Sequence, residues 1–191
     1  MKEGDTVVGG ELVAPEPLSR RSEVPAEQVA ACLSLDVDDI RTDGHPPQVV
    51  SVGLPFLVAE LASRDALRRC SPNPVTYKAT LPLDGPVSVY AYTRDVGLDC
   101  AEGACDLQAR MFTPRMTEDP ATGSATAATV ALLATLRAVP QLTLRVQQGV
   151  DMGRPSLLVA SFDASSGVPA VRVGGRCVTV MTGTFSLVGE A

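Results

Sequence analysis

The chain's clearest feature is a stretch with no polar face. From Thr126 to Leu136 nearly every position is apolar, broken only by small threonines, which predicts a helix buried on all sides rather than an amphipathic surface helix. Elsewhere the pattern is short and strand-like. Val49 to Val52, Pro55 to Leu61, Thr76 to Leu81, Val87 to Thr93, Leu107 to Phe112, Leu142 to Val146, Ser156 to Phe162, Ala170 to Val173 and Cys177 to Leu187 are alternating or Val-rich runs bounded by Gly, Pro, Ser and Asp. Each predicts a strand. Pro25 to Leu35 predicts a helix with Val29, Ala30 and Leu33 on one face, and Ser63 to Arg69 a short surface helix opened by a serine cap. Val7, Val8, Leu12 and Val13 around Gly9-Gly10 predict a strand or hairpin, and Gly174-Gly175 reads as a hairpin turn. Many short strands and one wholly apolar helix predict an α/β (α+β) fold in which a curved sheet wraps around that helix.

The residues before the helix carry the candidate chemistry. Asp119-Pro120 reads as an N-cap followed by the first helical position, where proline's missing N–H costs nothing. Gly123 leaves room for another molecule to approach the first backbone N–H groups, at the positive end of the helix dipole. Ser124 places a hydroxyl beside this anion pocket and Asp119 a carboxylate at its lip. The same residues would equally serve as a cap on a core helix with no chemistry attached.

Composition narrows the partners. The chain has 191 residues, a net charge of −6, and 45% apolar but only 4% aromatic residues, so the core is built from Val, Leu and Ala. The negative charge and scattered cations exclude a nucleic-acid backbone or an anionic membrane as the expected partner. No signal-peptide pattern is present and the longest apolar run is too short to span a bilayer, so a cytoplasmic protein is expected. Five cysteines, Cys32, Cys70, Cys100, Cys105 and Cys177, are an odd number at wide spacing and read as reduced thiols; no metal set is recognisable among them. The single histidine, His45, sits among turn formers and reads as a solvated loop side chain, which leaves no base for a Ser-His-Asp or Cys-His arrangement. Arg154, beside Pro155 in a turn, also reads as solvated.

Glu118 to Ala125, preceded by Ala109-Arg110-Met111-Phe112-Thr113-Pro114 and followed by Gln148-Gly149 and Met152-Gly153-Arg154-Pro155-Ser156, resembles the second half of the PhzF-like family. Ser51-Val52-Gly53-Leu54-Pro55-Phe56, Val173-Gly174-Gly175 and Gly183-Thr184-Phe185 extend the resemblance over most of the chain. It implies a diaminopimelate epimerase-like fold of two halves, each a curved sheet around a central helix, with the active site in the cleft between them. The implied activity is isomerisation of a small carboxylate-bearing metabolite by proton transfer, with no metal or coenzyme; PhzF itself acts on trans-2,3-dihydro-3-hydroxyanthranilic acid. By motif the resemblance assigns catalytic roles to Asp119 and Ser124 and substrate binding to Thr122, Gly123 and Ala125. A catalytic cysteine of the related epimerases would fall at Thr122, which argues against two-thiol racemisation.

The chain also departs from the family pattern. The acid/base glutamate in a segment ending Glu-Thr-aromatic, and the Gly-His motif of the first half, have no counterpart; Glu118 and Gly44-His45 stand elsewhere. The expectation is a remnant of the N-terminal domain over 1–17 and a C-terminal domain over 18–191. Pro114-Arg115-Met116-Thr117-Glu118 is a shortened approach to Asp119 that lacks a family glycine. An isomerase needing a carboxylate from outside this chain is expected, with a non-catalytic binding or interaction module as the alternative. A lone half would expose an apolar face and favour a homodimer.

Overall fold

A computed structural model describes residues 1–4, 6–85, 88–97 and 105–184. In chain order the elements are β1 (Lys2–Glu3), β2 (Thr6–Val7), β3 (Gly9–Val13), β4 (Ser19–Glu23), α1 (Ala26–Leu33), β5 (Ile40–Arg41), β6 (Gln48–Ser51), β7 (Pro55–Leu61), α2 (Arg64–Arg69), α3 (Pro74–Thr80), β8 (Val89–Thr93), β9 (Leu107–Phe112), β10 (Glu118–Asp119), α4 (Gly123–Leu136), β11 (Gln141–Gln148), β12 (Ser156–Asp163) and β13 (Ala170–Arg176). Eleven strands form one sheet in the order β3-β13-β12-β11-β9-β8-β7-β6-β4, with β10 added beside β9 and β5 beside β7. The pairs β7/β8 and β11/β9 are parallel and the others antiparallel. β3, within residues 1–17, is the end strand next to β13.

The sheet curves around α4. Residues 14–18 connect its two end strands, β3 and β4: the Ala14 N–H donates to Val171 O at 2.8 Å and the Glu16 N–H to Val52 O at 3.2 Å, so this short segment bridges β13 to the end of β6. Ala14 and Leu18 pack on the same core as α4. The helix is buried from Ala125 to Ala134. Its threonines fit because each hydroxyl is satisfied inside the helix: Thr126, Thr129 and Thr135 donate to the carbonyls four residues earlier at 3.0, 2.9 and 2.8 Å. Burying an unpaired hydroxyl would cost free energy, so these bonds permit the all-round apolar packing.

A second core lies on the other face of the sheet. Phe56, Val58, Tyr90 and Tyr92 face α4, while Leu57, Ala59, Leu61, Val89 and Ala91 pack under α1, α2 and α3. β7 is therefore covered on both faces, which is why its sequence is apolar without alternation. Ser63 caps α2, its hydroxyl accepting from the Ala66 N–H at 3.0 Å, as the serine signal predicts. Among the described residues no helix is long and apolar enough to cross a membrane.

Four expectations are corrected. Thr76 to Leu81 is not a strand: Asn73 caps α3, its side-chain oxygen accepting from the Val75 and Thr76 N–H groups, and Pro74 occupies the first helical turn, so local capping overrides the alternation. Gly174-Gly175 is not a turn but part of β13, where Gly174 pairs with Glu11 and Gly175 with Gly10. A Cβ on Gly174 would lie 2.8 Å from Gly10 O, so the glycine permits close strand approach. Residues 177–184 form no strand, although the Cys177 N–H donates to Val8 O at 2.9 Å, and 185–187 lie outside the described residues. His45 is not solvated but only 3% exposed, bonded to Tyr92. The expected strand residue Val87 and the thiol Cys100 lie outside the described residues.

Candidate active site

The crossover from β9 to β11 delivers the candidate residues. β10 pairs antiparallel with β9, Glu118 opposite Phe112 and Asp119 opposite Met111. Successive strand residues point to opposite faces. Glu118 accordingly meets Arg110 in a bidentate ion pair at 2.9 and 2.7 Å, while Asp119 turns to Thr122. Arg110 also donates to the carbonyls of Leu67, Arg68 and Cys70 at the end of α2 and lies over the Phe112 ring. Burial opposes the Arg110 charge, but the Glu118 carboxylate, with Cys70 and Asp151, raises its pKa above the ordinary value.

This pairing corrects the capping assignment. Asp119 belongs to β10, Thr122 occupies the cap position and α4 starts at Gly123, so Asp119-Pro120 precedes the helix instead of opening it. The Asp119 carboxylate accepts from the Thr122 hydroxyl at 2.7 Å and more distantly from the Ala121 N–H at 3.5 Å. Gln148, at the end of β11, completes the arrangement. Its Oε1 accepts from the Thr122 N–H at 3.1 Å, and its Nε2 donates to the Thr122 hydroxyl at 2.9 Å and to Asp119 O at 2.6 Å.

The first intrahelical bond runs from the Thr126 N–H to Thr122 O at 3.1 Å. The N–H groups of Gly123, Ser124 and Ala125 therefore precede the helical ladder and have no acceptor four residues back. They lie at the positive end of the dipole. A cavity of about 500 Å³ opens there, lined by Glu11, Ala121, Gly123, Ser156, Gly174 and Arg176 among others. Ser124 lines a smaller apolar slot of about 160 Å³, with Leu12, Pro15, Gly53, Leu54 and Ala127. The structure thus brings Asp119 and Thr122 into direct contact and puts Gly123 on the cavity wall. The Thr122 side chain is buried against Asp119 and Gln148, and Ala125 is fully buried and lines neither of these two cavities.

The loop after β11 buttresses this corner. Gly149 has φ +80°, and a Cβ there would meet Arg154 O at 2.3 Å and Pro120 O at 3.0 Å. Only glycine fits that backbone approach. Asp151 accepts from both terminal nitrogens of Arg64, at 3.0 and 2.8 Å, which ties the loop to α2. Arg154 is exposed, as expected. Sequence reasoning assigned no role to Gln148, Arg110 or Gly149. The available signal was Gln147-Gln148-Gly149 closing an otherwise Val/Leu-rich strand: glutamines in a buried position require partners. No group of His, Cys, Asp and Glu suited to a metal occurs among the described residues.

The sequence matches the family described as phenazine biosynthesis-like protein (PhzC-PhzF) over residues 1–183. It is 28% identical over 179 residues to an uncharacterized isomerase of Mesorhizobium japonicum, an alignment covering 88% of this chain and 57% of that relative. The fold is similar to a PhzF-family phenazine biosynthesis protein of Bacillus anthracis, with TM-score 0.76 and 18% identity, covering 87% of this chain and 57% of that one. It is also similar to a predicted epimerase of Pseudomonas aeruginosa, with TM-score 0.65 and 26% identity over 91% and 59% of the two chains. The chain thus spans less than two thirds of the length of these relatives.

Proposed function

The chain belongs to the phenazine biosynthesis-like family, and on that premise we propose that it contributes half of a proton-transfer site for isomerising a small carboxylate-bearing metabolite without metal or coenzyme. One observation carries this reading: Gly123, the first residue of α4, borders the cavity, and Asp119, four residues earlier, is held by Thr122 and Gln148. A substrate carboxylate or carbonyl oxygen set on the Gly123 and Ser124 N–H groups would have its developing negative charge stabilised as a C–H proton leaves. Ser124, which lines the neighbouring slot, would add its hydroxyl from that side. Asp119 would accept from an amino or hydroxyl group of the substrate and orient it. Thr122 serves binding by holding Asp119.

The proton carrier in this proposal is a carboxylate supplied from outside this chain. General acid/base transfer requires such a group within hydrogen-bond reach of the substrate. Binding and turnover are therefore separable in this chain. Ligand-observed NMR with a panel of cyclic and acyclic amino and hydroxy carboxylates, dihydro-hydroxyanthranilate included, tests the first. The expected result is binding of at least one member, lost on Asp119→Ala; a panel that binds neither protein, or both alike, refutes the reading.

A non-catalytic interaction module is favoured by a different observation. Val7, Leu12, Val178, Val180 and Met181 are exposed on β2, β3 and the segment after β13, and Val7 and Val178 line one shallow depression together. A second copy covering it would give a homodimer, which sedimentation would detect as a doubled mass.

A further inference from the structure

Away from the cavity, the chain's one histidine lies in a buried row of hydrogen-bonding groups that the isomerase reading does not use. His45, on the loop of residues 42–47, is 3% exposed, and Glu60 on β7 is equally buried. His45 Nδ1 lies 2.8 Å from Pro46 O, and its Nε2 lies 2.8 Å from the Tyr92 hydroxyl of β8. The same hydroxyl lies 2.8 Å from Glu60 Oε2. Arg94 reaches Glu60 through Nη2 at 3.1 Å and Nε at 3.0 Å, and Arg41 Nε stands 3.9 Å from Glu60 Oε1.

The row can be counted in protons. A carbonyl oxygen only accepts, so Nδ1 carries hydrogen. Burial, and then the Glu60 charge, push the Tyr92 phenol well above its ordinary pKa, so it keeps its single proton. Two contacts remain, Nε2 to Oη and Oη to Oε2, and a neutral imidazole with an ionised Glu60 leaves one proton to fill both. One of the two would then set lone pair against lone pair in a buried site, where an unmade bond is costly. One additional proton, on Nε2 or on Glu60, completes both contacts. We propose that His45, Tyr92 and Glu60 form a buried proton-binding site that takes up one proton from solvent as the chain folds, latching the 42–47 loop to β7 and β8.

The surrounding groups leave that count unchanged. Arg94 and Arg41 face Glu60, and Asp43 is engaged by Arg41, whose hydrogen bond holds the Asp43 carboxyl down at about 2. From β6 and β4 the neighbours are Gln48, which donates to Pro46 O at 3.2 Å, and Arg20, which donates to Gln48 at 2.8 Å. Arg94 donates to Glu60 and also hydrogen-bonds the Tyr92 hydroxyl, but neither bond places a hydrogen between Nε2 and Oη or between Oη and Oε2. The latch releases when the proton leaves, because one of the two contacts must then break.

A single histidine makes the test direct. The full chain is prepared with labelled histidine and glutamate, and ring-nitrogen and carboxyl-carbon NMR signals are read at about pH 7.5, where an ordinary imidazole of pKa about 6.5 is mostly neutral. The expected result is both ring nitrogens protonated, or one bare nitrogen together with a protonated Glu60 carboxyl, assigned by its loss in Glu60→Gln. Tyr92→Phe breaks the row and is expected to return the ring to one bare nitrogen beside an ionised Glu60. A bare nitrogen beside an ionised Glu60 in the unsubstituted chain, or a protonation pattern unchanged by Tyr92→Phe, overturns the proposal.

Discussion

The side-chain amide of Gln148 meets Thr122 with both of its ends: Oε1 accepts from the Thr122 N–H at 3.1 Å while Nε2 donates to the Thr122 hydroxyl at 2.9 Å. Since that hydroxyl donates to Asp119 in turn, the end of β11 determines where the Asp119 carboxylate sits. The candidate site is thus built by a contact between the strand that leaves α4 and the turn that leads into it.

Replacing Gln148 by Leu removes three hydrogen bonds at a fully buried position and leaves the Thr122 N–H unsatisfied. The expected loss of stability is about 1–3 kcal/mol. Denaturant midpoints measure it, and faster amide exchange at residues 121–125 locates it. A midpoint unchanged from the parent chain would show that the contact does not order the turn.

Arg110 and Glu118 form a largely buried pair, 12% and 11% exposed. Removing one partner strands the other charge and is expected to cost about 3–5 kcal/mol, whereas Arg110→Met combined with Glu118→Gln costs less than the sum of the singles. A double-mutant cycle in denaturant reads the coupling. Strict additivity would mean that the pair does not anchor β10.

The thiols should separate sharply. Burial pushes Cys70 up to about 12 from its ordinary 9.0, while Cys177 is exposed. The thiolate is the nucleophile, so at mildly alkaline pH Cys177 reacts rapidly with a disulfide reagent and Cys70 only on unfolding. Cys177→Ser is expected to remove a rapid phase. Linkage gives the accompanying sign. A folded-state pKa above the unfolded one contributes stability in full below about 9, and that contribution is lost as pH rises towards about 12. Tyr77 and Tyr90, raised mainly by burial, act in the same direction. Stability should therefore decline on the alkaline side, and a flat profile there would contradict the burial of these groups.

Much of the fold could be read from the residues because single positions decided it. Pro55 to Leu61 is apolar throughout since both faces of β7 are covered, and Ser63 announces α2. Where two local signals competed, the alternation misled: Asn73-Pro74 opens a helix across residues that alternate like a strand. Gly174 and Gly175 signal close approach as readily as a turn, and only the neighbouring β3 distinguishes the two. The capping position read for Asp119 failed because its strand pairing with Met111 is not visible in the residues next to it. His45 was misread for the same reason, its partner Tyr92 being 47 residues away.

The central claim is that Asp119 and the start of α4 hold a substrate whose proton is moved by a group not in this chain. Deuterium incorporation from D₂O into a bound carboxylate, followed by mass spectrometry with the purified 191-residue chain and with Asp119→Ala, tests it most directly. The account predicts binding that depends on Asp119, with little exchange by the chain alone. Robust exchange that survives Asp119→Ala would contradict it.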